Sequence, residues 1–176
     1  MAAGATIHHV EVQLSDVDRG VYHDSLSVHL ARHPSESARF LATRLLAYAL
    51  SYEEGIAFSK GGVSSTDEAP ISIRDATGAL RAWIEVGSPS AERLHKAAKA
   101  SGRVAVYTCA SLDNLAGERI HRREEIEIWR LEAPLVDALA ERLERRTKLE
   151  IVRNEGRLYV TTPAGLLEGS ITREAL

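Results

Sequence analysis

Leu80-Arg81-Ala82-Trp83-Ile84-Glu85-Val86-Gly87-Ser88-Pro89, continuing to Gly102-Arg103-Val104-Ala105-Val106-Tyr107, is the stretch that decides the fold. Leu80–Val86 reads as a strand. Ser88-Pro89 is a helix start, and Leu94, Ala97, Ala98 and Ser101 recur at the spacing of one buried helical face. Gly102 ends that helix, and Val104–Tyr107 is a continuous apolar run of the kind buried on both faces. Strand, helix and strand in so short a span imply a right-handed parallel crossover.

Upstream, Ile56-Ala57-Phe58 is a short strand closed by Gly61-Gly62, Ser64–Ala69 a polar loop, Pro70–Arg74 a strand and Ala76-Thr77-Gly78 a turn. Pro34 opens a helix, since a missing N–H costs nothing in a first turn. Phe40, Leu41, Leu45, Tyr48 and Ala49 form its apolar face. Residues 5–16 alternate, with Val10, Val12 and Leu14 pointing one way and Glu11 and Gln13 the other. Alternation resumes at Tyr22, Leu26, Val28 and Leu30, which predicts a long hairpin turning at Asp16–Gly20. Asp24 falls in an inward slot of that count, so a bulge is expected near it. Downstream the pattern predicts a short helix over 110–118, a strand over 126–130, a helix over 134–146 and a hairpin over 149–162 turning at Asn154-Glu155-Gly156. The class is α/β with a mixed sheet, a central parallel pair and attached antiparallel hairpins, in one domain over 1–176.

The 176 residues are long enough to bury a core, and 44% apolar with 27% charged residues is an ordinary globular composition. A net charge of −3 argues against a dedicated nucleic-acid binder, whose affinity comes largely from neutralised phosphates. Any such binding needs a local basic patch or a bound metal, and a protein partner is the other expectation. The single Cys109 cannot form an internal disulfide. With no basic-then-apolar leader and no uninterrupted apolar run, the expected location is the cytoplasm, without a membrane span.

Chemistry concentrates between Asp67 and Lys96. Asp67-Glu68 precedes Pro70, Glu85 stands at a strand end on the face of Trp83, and Lys96 lies two turns into the following helix. Carboxylates at neighbouring strand ends can share a hard divalent cation, and a lysine beside them can hold a phosphate or a water. Plainer readings stand beside each residue. Glu85 can face water, Asp67-Glu68 can be solvated, and Lys96 can pair with Glu92 four residues earlier. Glu36 can serve the helix dipole, with Arg44 pairing to it or to Glu85. His8-His9 are adjacent in a strand and face opposite sides, and His23 and His29 are too far apart along one strand to share an ion. His33 reads as a helix cap. The arginines around His121 and those from Arg142 to Lys148 are diluted by acids and read as solvated faces.

Arg32-His33-Pro34-Ser35-Glu36 with Arg44-Leu45-Leu46-Ala47, Ser65-Thr66-Asp67-Glu68 before Pro70, Trp83–Pro89, Arg93–Ala97 and Val104–Thr108 resemble the signatures of the YaeQ family over essentially the whole chain. The resemblance implies a divergent PD-(D/E)XK nuclease-like fold, a mixed sheet flanked by helices, with its core over about 35–107 and hairpins at both ends. It implies Glu85 as the third-strand acid, Asp67 or Glu68 as the metal-binding acid near the second strand, and Glu36 as the first-helix acid. Arg44, His33 and Arg32 support them. Glu85 is followed by Val86-Gly87 where that pattern has a lysine, and Lys96 is the replacement. Two functions are then open, the first leading. One is a phosphodiesterase acting on nucleic acid through Mg²⁺ or Mn²⁺ held by Asp67, Glu68 and Glu85, with Lys96 orienting water or phosphate and no organic cofactor. The other is a non-catalytic binding or regulatory module whose site has degenerated.

Overall fold

The computed structural model describes residues 4–60 and 67–176. Gly61-Gly62, the residues Ser64–Thr66 of the expected polar loop, and hence part of the second signature lie outside the described residues. The chain forms two compact units, Met1–Leu50 with Leu131–Thr172, and Ser51–Arg130 with Arg173–Leu176.

In the first unit the strands run in the order β2-β1-β8-β9-β10. β1 (Thr6–Asp16) and β2 (Val21–Arg32) form the expected hairpin, with Val10, Val12, Leu14, Leu26, Val28 and Leu30 all buried, whereas Tyr22, counted in the same alternation, is exposed. The bulge also stands where Asp24 predicts it. Val12 faces Leu26 and Leu14 faces His23, so Asp24 and Ser25 together oppose the single residue Gln13. β8 (Arg146–Asn154) runs parallel to β1, while β9 (Arg157–Thr162) and β10 (Gly165–Glu174) complete an antiparallel meander. Glu155 and Gly156 both take positive φ, the mirror-type turn that matches strand twist. Asp18 braces this corner: its carboxylate accepts the backbone N–H of Glu155 and Gly156 and the Arg153 guanidinium. Those donors hold it below the usual carboxylate range, the Gly156 N–H contributing most.

Three expectations for this unit need correction. The first helix, α1 (Ala38–Leu50), begins four residues after Pro34, and residues 34–35 form a turn instead. Its buried residues include Thr43, Arg44 and Ala47 beside the expected apolar stripe. The third helix, α3 (Ala133–Arg142), stops four residues short of the expected end, and β8 starts correspondingly early.

In the second unit the order is β7-β6-β5-β4-β3. β3 (Ile56–Phe58), β4 (Ile71–Arg74) and β5 (Leu80–Val86) form an antiparallel meander. The second helix, α2 (Ala91–Ala100), then leads to β6 (Arg103–Thr108), parallel to β5, and β7 (Glu127–Leu131) lies parallel to β6. This is the crossover that the Leu80–Tyr107 stretch dictates. Ser90 caps α2 through its Oγ, which accepts the Arg93 N–H, and Leu94, Ala97 and Ala98 pack with Trp83, Val104, Val106 and Ile128. The expected helix over 110–118 is instead a single 3₁₀ turn at Asp113–Leu115, with another at Arg123–Glu125. No helix among the described residues is long and apolar enough to cross a membrane.

Gly55 enters β3 at φ +90°, and a Cβ there would stand 1.9 Å from the Arg74 carbonyl oxygen. At Gly78, φ +85°, a Cβ would meet nothing within 4 Å. Both Gly→Ala changes carry the left-handed backbone cost of about 1–2 kcal/mol, but only Gly55→Ala adds a backbone clash of about 1–3 kcal/mol. Urea denaturation should therefore rank Gly55→Ala well below Gly78→Ala; equal losses would mean that β4 yields freely at Arg74.

Candidate functional site

Trp83 and Glu85 are two residues apart on β5 and therefore share a face, the face covered by α2. Glu85 does not look out at water: it is 2% exposed. The Trp83 indole N–H donates to Glu85 Oε1 at 2.6 Å, and Arg93 Nε, from the first turn of α2, donates to the same oxygen at 2.5 Å. The Arg93 guanidinium lies 5.8 Å from the Trp83 ring centroid and donates through Nη2 to the Glu68 carbonyl at 2.7 Å. One arginine thus ties the strand end, the helix and the segment before β4 together. Burial raises the Glu85 carboxyl above its ordinary value, outweighing the lowering by Trp83 and Arg93.

Asp67 and Lys96 meet, with Nζ 2.5 Å from Oδ1, so the Glu92 alternative for Lys96 is not the contact formed. Their side chains are 85% and 47% exposed, which makes this a surface ion pair. The Lys96 hydrogen bond holds Asp67 below the usual carboxylate range. Glu68 Oε2 accepts the Ser59 hydroxyl at 2.8 Å. These groups border a cleft of about 530 Å³ whose lining includes Phe58, Lys60, Arg74, Leu80, Trp83 and Lys96.

The remaining predicted residues belong to the first unit. Glu36 precedes α1 and is buried; both its oxygens accept from Arg44, and Oε2 also accepts the His33 N–H. Arg44 Nη2 reaches the Ala31 carbonyl at 2.7 Å, and Arg32 Nε donates to the Glu36 carbonyl. Burial draws the Arg44 pKa down although Glu36 opposes it. His33 does not cap the helix as expected. Its Nδ1 accepts the Ser35 N–H, while Ser37 Oγ caps α1 by accepting the Phe40 N–H.

Mg²⁺ and Mn²⁺ take about six oxygen ligands. Among the described residues no group of three His, Cys, Asp or Glu side chains is arranged to hold a metal ion. Glu85 Oε1 carries two N–H donors, one cationic, while Asp67 and Glu68 are engaged by Lys96 and Ser59. As arranged, these residues do not fit a shared hard cation.

Arg93 is the residue that sequence reasoning passed over, although it lies inside a quoted signature. A second instance of the same pattern occurs at Glu127-Ile128-Trp129. The Trp129 indole N–H donates to Glu127 Oε2 at 3.0 Å, and Arg103 donates to both Glu127 oxygens at 2.9 and 3.0 Å. Acid and tryptophan two apart on one strand, joined by an arginine from elsewhere, is thus a construction this unit uses twice.

Parallel and antiparallel strands in each unit, three helices, a parallel crossover and a buried acid–tryptophan–arginine cluster define an α/β protein with a mixed ten-stranded sheet. It belongs to the YaeQ family, whose model, described as YaeQ protein, matches residues 1–170. The crystal structure of YaeQ protein from Pseudomonas syringae superposes with TM-score 0.83 at 30% identity, covering 96% of this chain and 95% of that one. The YaeQ protein structure from Xanthomonas axonopodis pv. citri gives TM-score 0.85 at 28% identity, covering 97% and 98%. The curated relative from Escherichia coli K12, named uncharacterized protein YaeQ, is 36% identical over 108 residues, 61% of this chain and 59% of that protein. The chain thus matches about three fifths of that relative's length.

Glu85→Ala leaves the Trp83 N–H and the Arg93 guanidinium without their acceptor and should cost about 2–4 kcal/mol; Glu85→Gln keeps an acceptor oxygen and should cost far less. The folded chain binds the Glu85 proton more tightly than the unfolded chain does, so ionisation subtracts from stability. Wild type should lose stability relative to Glu85→Gln as pH rises through the ordinary carboxyl value of 4.5 and beyond. Thermal melts of the three proteins from pH 4 to 8 check both statements, and equal melting of Glu85→Ala and wild type would remove Glu85 from its structural role.

Proposed function

We propose that this chain is a binding or regulatory module on a PD-(D/E)XK nuclease-like core whose catalytic position has degenerated. The order of elements supports the core: α1, the β3-β4-β5 meander, α2, then β6 parallel to β5. One observation carries the loss of catalysis. The Glu85 carboxylate, which the hydrolase needs on a metal, is closed off by Trp83 and by the fixed positive charge of Arg93. The recurrence of that cluster at Glu127 supports a structural reading of both.

The cleft beside it suits a protein segment better than a nucleic acid. Phe58 and Leu80 offer apolar contact, and Lys96 is paired with Asp67, with Lys60 and Arg74 the other cations of the lining. The net charge of −3 adds no overall field to draw a phosphate backbone.

The hydrolase remains the second reading, favoured by the gathering of Asp67, Glu68, Lys96 and Glu85 around Arg93 and the α2 face. It requires Arg93 to release Glu85 before Mg²⁺ or Mn²⁺ can bind there.

The two differ by mass action, because a cation that binds only the native state at a hundred times its Kd stabilises it by about 2.7 kcal/mol. Millimolar Mg²⁺ or Mn²⁺ should leave the melting temperature unchanged, and neither ion should support nicking of plasmid DNA or cleavage of RNA. A rise in Tm together with cleavage that Glu85→Gln abolishes would establish the hydrolase instead.

A further inference from the structure

We propose that His9 and His29 form a two-histidine site for a late divalent transition ion, Cu²⁺ above all, on the solvent-facing side of the β1–β2 hairpin. The register sets His9 directly opposite His29, and the two rings stand 4.5 Å apart, centroid to centroid, at an interplanar angle of 64°. His29 is exposed and His9 half-buried, whereas His8, Val10, Val28 and Leu30 turn to the buried side. The site is thus open to solvent, and the hairpin holds both imidazoles in place before any ion arrives.

Two imidazole nitrogens at about 2.0 Å on one ion lie roughly 2.8 Å apart in adjacent positions of the tetragonal arrangement Cu²⁺ favours, and roughly 3.3 Å apart on a tetrahedral ion. Rings with centroids at 4.5 Å reach that separation by turning about χ2, a soft two-fold torsion in histidine. Neutral imidazole prefers Cu²⁺, Ni²⁺ and Zn²⁺ to Mg²⁺ or Mn²⁺, and Cu²⁺ heads the divalent affinity order. The site therefore differs in chemistry as well as location from the carboxylate reading at Glu85.

The neighbours define what completes the coordination. Glu11, two residues along β1 on the same face, accepts the hydroxyls of Ser25 and Ser27 at 2.8 Å each and is held by them. On the adjoining strand Arg146 is in register with His9 and Lys148 with Glu11, adding positive charge but no ligand. Water fills the remaining positions, so the ion keeps exchangeable sites for an incoming donor.

A purely aromatic role for the pair makes a different prediction, because phenylalanine at position 29 would preserve a ring opposite His9. The untagged full chain, stripped with a chelator, is titrated with Cu²⁺ by calorimetry and followed by electron paramagnetic resonance. Wild type should bind one equivalent with nitrogen hyperfine structure from two imidazoles. His9→Asn and His29→Phe should each bind at least tenfold more weakly and lose that signature, while His121→Asn should bind as wild type. Should His9→Asn fail to fold, His29→Phe carries the comparison. Wild-type affinity in folded His29→Phe, or no stoichiometric binding by wild type, would overturn the proposal.

Discussion

Removing a carboxylate from water costs several kcal/mol unless donors replace its hydration, and β5 places Glu85 where almost none of that hydration is left. The second unit is organised around meeting this demand. Trp83 supplies one donor from the same strand face, which a period of two guarantees. Arg93 supplies the other from the first turn of α2, so the helix that completes the parallel crossover is tied to the strand by charge as well as by Leu94, Ala97 and Ala98. The same guanidinium anchors the Glu68 carbonyl, which fixes where the chain enters β4.

Burial separates this cluster from the ion pair beside it. Asp67 and Lys96 are largely solvated, and pairs of that kind contribute little to stability. Glu85 with Arg93 is 3% and 20% exposed, so losing one partner strands the other in a poorly solvated place. The cleft therefore has a fixed floor at Trp83 and an adjustable rim at Asp67 and Lys96.

The crossover was legible because its boundaries have local chemical causes: a Ser88-Pro89 start ahead of α2, which is in fact capped two residues later by Ser90, Gly102 after it, and an apolar run where β6 is covered on both faces. The start of α1 was misplaced because proline tolerates a helix's first turn but does not require one. Glu36 and His33 instead build a turn that Arg44 holds from eight residues away. β10 left no signal, since Gly165, Gly169 and Ser170 interrupt its alternation, and it exists by pairing with β9. At the candidate site the sequence showed that Trp83 and Glu85 share a face, but not that Glu85 is buried against Arg93. That contact depends on the angle at which α2 returns over the sheet, which no residue spacing encodes.

The hairpin shows how far one extra residue can reach. Counting outward from the turn, Asp16 faces Val21, Ser15 faces Tyr22 and Leu14 faces His23. Continued without interruption, that register would bring His9 opposite Val28 and His8 opposite His29, setting solvent-facing residues against core-facing ones all along the strand. Asp24 and Ser25 share the place opposite Gln13, and the extra residue shifts the count by one. Val12 then meets Leu26, Val10 meets Val28, and His9 meets His29. Leu26, Val28 and Leu30 reach the buried face only after this shift, so the strand bulges there. The same adjustment that keeps the apolar face whole creates the paired imidazoles on the other.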